Sequence, residues 1–151
     1  MLGAPRPTGV TPMTTGKLDE RAALASMMMS LLDHWGVDDR EKIHLLGLPA
    51  CTKPRSLQGY HHGKALPHDE EVMTRVEHLL GISQALSLAN PLNEHAAVMW
   101  LHRRNRRLDG RTPLATMIDD GLDGITRVRI QLDCSYDWYL DEQRARTPAS
   151  P

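Results

Sequence analysis

Residues 100–114 read Trp-Leu-His-Arg-Arg-Asn-Arg-Arg-Leu-Asp-Gly-Arg-Thr-Pro-Leu, and this run decides the fold. A helix carrying Trp100-Leu101 ends in a basic turn, and Asp109-Gly110 reverses the chain. Thr112-Pro113 then opens a new helix. A Thr hydroxyl accepts from the free N–H groups of a first turn, and Pro suits the first helical position because its missing N–H would have had no helical partner. Leu114 and Met117-Ile118 give that helix an apolar face, and Asp120-Gly121 ends it. Ile125, Val128 and Leu132 then recur at helical spacing.

The same reading extends upstream. A helix from Asn93 to about His102 turns Ala96, Ala97 and Trp100 inward. Another runs from about His68 to Leu88. Asp69, Glu70 and Glu71 favour its positive end. Val72, Val76, Leu79, Leu80, Ala85, Leu86 and Leu88 form its buried face, Gly81 bends or breaks it, and Asn90-Pro91 closes it. Asp38 with Glu41 has the form of a capping box opening a helix with Ile43 and Leu46 inward and Gly47 as its stop. In Thr52–Gly63, Thr52 caps, Pro54 lies in the first turn, Leu57 and Tyr60 face the core, and Gly63 ends the helix. Two short helices joined in this way suit a helix-turn-helix, the second entering a DNA major groove. From Lys17 to Trp35, Leu18, Ala22, Ala25, Met28, Leu32 and Trp35 form a stripe at three- and four-residue steps. No run alternates with period two for long enough to make a strand, so the expected fold is all-α.

Composition narrows the class. A chain of 151 residues is one domain, or one with a small extension, and at this size folding buries roughly 70% of the unfolded chain's surface. There is no Phe, so Leu, Met, Val, Ile, Trp and Tyr fill the core, with Met27-Met28-Met29 as adaptable packing. A net charge of −1 argues against an evenly basic protein but allows a local basic patch. The two cysteines, Cys51 and Cys134, lie far apart without a CxxC, as reduced thiols of a cytoplasmic protein do. No apolar run is long enough for a membrane span, and the opening residues lack the charged-then-apolar pattern of a secretion signal, so secretion is not expected. Residues 1–16, with Pro5, Pro7 and Pro12, and residues 141–151, charged and Pro-containing, read as flexible tails.

Catalysis finds little support. Ser56 and His61 are two common residues on one short helix, the histidines are scattered, and His61-His62 point to different faces of a helix. Neither a metal nor a cofactor is expected, and no GxGxxG or GxxxxGK is present. Lys53, Arg55, Gln58, His61, His62 and Lys64 instead cluster on the second helix of the expected pair. Lys and Arg neutralise phosphates, Gln58 suits adenine and Arg55 suits guanine, although Gly59 costs about 1 kcal/mol mid-helix relative to Ala. Arg103, Arg104, Arg106, Arg107 and Arg111 surround Asp109. They read as a solvated helix end, a second phosphate contact, or a charged rim for an acidic partner. Tyr136, Trp138 and Tyr139 fall where the core periodicity fades, and aromatics of that kind anchor interfaces.

Two sets of residues carry a resemblance. Trp100-Leu101, Asn105, Gly110, Thr112-Pro113-Leu114, Met117, Gly121, Val128-Arg129 and Leu132-Asp133 resemble the C-terminal toxin-binding domain of Xre/MbcA/ParS-type antitoxins, nearest to the version paired with RES-domain toxins. Leu57, Tyr60, Gly63, Leu66-Pro67, Asp69, Arg75, Leu79-Leu80-Gly81-Ile82 and Ala85-Leu86 resemble the Xre-like half of the same proteins, with Tyr60 where a Trp is common. The resemblance spans about Leu31 to Trp138. It implies a helix-turn-helix domain over 17–90 and a toxin-binding domain over 91–140, with Arg129, Asp133, Tyr136, Trp138 and Tyr139 in the segment that approaches the toxin. The implied partners are an NAD-consuming RES-type toxin, operator DNA and a second copy of the chain. Base-reading residues do not transfer, because that family varies them. Two alternatives stay open: a stand-alone helix-turn-helix regulator, and a ParS/MbcA-branch antitoxin with another toxin and no DNA binding.

Overall fold

The computed structural model describes the backbone of residues 12–146 and the side chains of residues 20–134. Its helices are α1 (Pro12–His34), α2 (Asp39–Leu46), α3 (Leu57–His61), α4 (Glu70–Ala89), α5 (Glu94–Leu101), α6 (Pro113–Asp120) and α7 (Leu122–Arg146). Single 3-10 turns at Pro54–Ser56 and Arg106–Leu108 precede α3 and α6. Among the described residues there is no strand, so the chain is an all-α bundle.

Local chemistry sets most helix ends. Asp38 accepts from the Glu41 amide at 2.8 Å while the Glu41 carboxylate accepts from the Asp38 amide at 3.2 Å, which completes the capping box. Gly47 takes a left-handed conformation and stops α2. Asp69 and Asn93 cap α4 and α5, and the Thr112 hydroxyl accepts from Ala115 at 3.0 Å ahead of Pro113.

Several expectations need correction. α1 begins at Pro12 rather than Lys17. Met13, Lys17, Leu18 and the residues after them form helices well enough to carry the turn through Gly16. α7 continues through 141–146, expected as tail, because Glu-Gln-Arg-Ala-Arg is good helix-forming sequence. Thr52 does not cap: Lys53 holds the position before the 3-10 turn, with no side-chain cap. Leu88 is exposed, and Trp100 is only half-buried, with Leu101 taking the interior position. Residues 1–11 and 147–151 of the expected tails lie outside the described residues.

One hydrophobic core runs through both expected halves. Met28 and Leu32 of α1, Leu45 and Leu46 of α2, Leu57 of α3, Val76, Leu79 and Ile82 of α4, Leu101 of α5, Met117 of α6, and Ile125 and Val128 of α7 belong to it. α4 and α6 both lie along α7, and α1 covers α3. α4 does not break at Gly81. A Cβ there would stand 2.7 Å from Cζ of Arg129, so glycine leaves the notch in which that guanidinium sits.

Candidate functional site

The first candidate is the head formed by α2 and α3. Residues 47–53 join α2 to the 3-10 turn, a longer connection than the three- or four-residue turn of a tight helix-turn-helix. Leu57 and Tyr60 are buried against α1, and the Ser26 hydroxyl reaches the His61 carbonyl at 3.5 Å. This anchoring leaves the opposite side of α3 to solvent. Lys53, Arg55, Gln58, His62 and Lys64 are exposed there. From Gly47 to His68 the chain carries no Asp or Glu, so these groups form a basic face.

Of the six expected DNA-contacting residues, two are engaged within the chain. His61 Nε2 lies 3.3 Å from the Asp33 carboxylate, and the Lys64 ammonium stands 5.0 Å above the Tyr60 ring. Burial pushes the Tyr60 phenol above its ordinary value. His61 is therefore paired with Asp33 and not with Ser56. Asp38 and Asp39 stand exposed where α2 starts, so the basic face belongs to α3 and not to that end of α2.

Lys42, which the sequence reading passed over, and Arg75, named there only as part of the resemblance, hold the head together. Lys42 is buried, and its ammonium pairs with Asp33 and, at 3.3 Å, with Asp39. A buried charge must be paired in this way. Its position beside Ile43, three and four residues before Leu45 and Leu46, was the available signal. Arg75 of α4 donates to the His44 carbonyl at 3.2 Å and to Glu71 at 3.1 Å, and lies against Gly47. It complements the negative end of α2. No sequence spacing links residues 44 and 75.

The second candidate is the C-terminal half. Asn105 caps the 3-10 turn by accepting from Arg107 at 2.9 Å, and it also accepts from Gln131 of α7 at 3.3 Å. Asp109, in a left-handed conformation, accepts from Arg127 at 3.1 Å. Arg111 grips Asp120 through two bonds, at 3.1 and 2.7 Å. The pair holds the Asp120 carboxyl below its ordinary value, chiefly through this hydrogen bond. Arg103, Arg104, Arg106 and Arg107 are exposed, with no carboxylate partner among the described residues.

Of the expected toxin-contacting residues, Arg129 donates to Nδ1 of His78 at 2.9 Å and is half-buried between α4 and α7. Asp133 is exposed one turn further on. The side chains of Tyr136, Trp138 and Tyr139 lie outside the described residues, on a stretch where the α7 backbone is helical. Among the described residues no three or more His, Cys, Asp or Glu side chains converge as a metal site would, and no helix is long and apolar enough to cross a membrane.

The fold and these surfaces define a helical protein with a basic head and a long closing helix. The chain is 32% identical over 103 residues to the uncharacterized protein y4oB of Sinorhizobium fredii (strain NBRC 101917 / NGR234), a match covering 68% of this chain and 76% of that protein. It belongs to the family of that protein. No protein-family model matches the chain, and no solved structure matches it.

Proposed function

We propose that this chain is the antitoxin of a toxin–antitoxin pair, a cytoplasmic homodimer that occludes an NAD-consuming RES-type toxin and represses its own operon. It acts by binding and has no chemistry of its own. The observation that carries the reading is the length of α7. Its last described buried residue is Leu132, yet the helix runs on to Arg146, about 21 Å further at 1.5 Å per residue. A helix end of that reach, with Tyr136, Trp138 and Tyr139 in its sequence, is suited to fill the mouth of a pocket that must admit a dinucleotide. The order of matching residues from Trp100 to Asp133 supports the same reading.

Co-expression with the protein encoded beside it tests this. The full chain restores growth and stops NAD loss, while a chain ending at Leu132 does neither and loses only the helical circular dichroism of the residues removed. Growth restored equally by the shortened chain refutes occlusion by α7. The acid-free face of α3 also favours a stand-alone regulator, for which Lys53→Ala with Arg55→Ala weakens operator binding and lowers its salt slope by about one per lost phosphate contact. The acids at the start of α2 favour a ParS/MbcA-branch antitoxin without DNA binding, for which the same pair of substitutions changes nothing.

A further inference from the structure

The sequence of α5 is Glu-His-Ala-Ala-Val-Met-Trp-Leu, with six apolar residues in succession from Ala96 to Leu101. A helix apolar on every side belongs inside a larger structure. Here only Leu101 is fully buried. Met99 is 64% exposed, Trp100 is half-buried, and just before the helix Leu92 is 99% exposed, nearly bare. Leu88, in the last turn of α4, is 57% exposed. Scattered surface leucines are ordinary, but these fall within a dozen residues of sequence across the turn from α4 into α5.

We propose that this corner, where the end of α4 meets α5, docks an acidic amphipathic segment of a partner protein. Charge selects the occupant. From His78 to Leu108 the chain holds a single acid, Glu94, while Arg103 and Arg104 directly follow α5 with no carboxylate partner among the described residues. A second copy would bring two sets of arginines together against two glutamates, so the corner is not self-complementary. A nucleic acid would neutralise the arginines and leave Leu88, Leu92 and Met99 in water. A protein segment with leucines on one face and carboxylates on its flank satisfies both halves of the surface.

The proposal stands apart from occlusion by α7, because its readout is peptide binding and not toxin rescue. The probe is a fluorescein-labelled helix of Leu and Glu, about four turns long, and its control carries Lys in place of every Glu. Both are titrated into the full chain, and methionine-methyl NMR reports the contact. The Leu/Glu helix binds and shifts the Met99 methyl, and the Leu/Lys helix does not bind. Leu92→Glu with Met99→Glu lowers affinity by about tenfold or more with unchanged circular dichroism, since both residues are exposed. Arg103→Ala with Arg104→Ala lowers it several-fold and flattens its salt dependence. Equal binding of the two helices overturns the proposal. So does displacement of the Leu/Glu helix by duplex DNA. Sedimentation showing a dimer that Met99→Glu dissolves assigns the corner to a second copy and overturns it as well.

Discussion

The joint between α6 and α7 and the helix just before it, α5, are assembled in opposite ways. At the joint, backbone meets backbone. A Cβ on Gly124 would stand 2.1 Å from the Thr116 carbonyl oxygen, so the first turn of α7 lies directly on α6. Thr112 closes one end of α6, and Arg111 bonded to Asp120 ties its approach to its exit. α5 has its Asn93 cap but no such close backbone contact or clamp. One residue, Leu101, is sunk in the core, His102 Nε2 donates to the Trp35 carbonyl at 2.7 Å, and much of the remaining apolar surface is uncovered. The contrast teaches that stability and readiness to bind are drawn from different helices of one half. The α6–α7 joint can hold α7 in place while α5 stays unfinished.

The largest effect is expected where the contrast is broken at its firm side. Gly124→Ala forces a methyl group into a carbonyl that cannot retreat, and should cost about 3 kcal/mol, the upper range of overpacking. Urea unfolding measures it, and a change under about 0.5 kcal/mol, as at an ordinary surface site, would mean the two helices separate easily. The second test lies within α5. Leu101→Ala should cost about 3 kcal/mol, as fully buried leucines do, whereas Met99→Ala should stay within about 0.5 kcal/mol. Equal costs would show that α5 is as well covered as α6.

The smallest effect sharpens the comparison at the surface of the joint. Asp120 sits below its ordinary value of 3.8 because Arg111 donates to it. A carboxyl lowered in the folded state adds stability above the unfolded value, and that contribution is lost as pH falls through the lower folded value. Arg111→Ala should return the Asp120 titration to the ordinary range. Its stability deficit should be small near neutrality, since the pair is exposed, and should vanish in acid. Carboxyl NMR titration follows the first, and urea unfolding at two pH values the second. A deficit that grows as pH falls has the wrong sign for this pair.

What the sequence disclosed was local. Asp38 and Glu41, Thr112 and Pro113, and Gly47 each speak to neighbours within a turn, so their roles could be read from spacing. Side chains that act across the fold could not. Gly81 looked like a weakness in α4 and is a notch for Arg129, 48 residues away in sequence on another helix. Nothing in the spacing around Lys42 points to Asp33, which reaches it from α1 and makes it a buried ion-pair member. Trp100 looked like the core residue of α5, yet Leu101 holds that place, and one residue of helix is a rotation of about 100°. The basic face of α3 was legible as composition, but the withdrawal of His61 toward Asp33 was not.

Gly124 seated against Thr116 also works as an indexing pin. A helix has one rotational phase along its whole length, and this backbone contact, with Ile125 and Val128 buried beside it, sets it for α7 in its first turns. Every later backbone position up to Arg146 inherits that phase, so the compass bearing of the closing helix is determined on α6. A residue larger than glycine at 124 would re-aim the far end of α7 without touching any residue there.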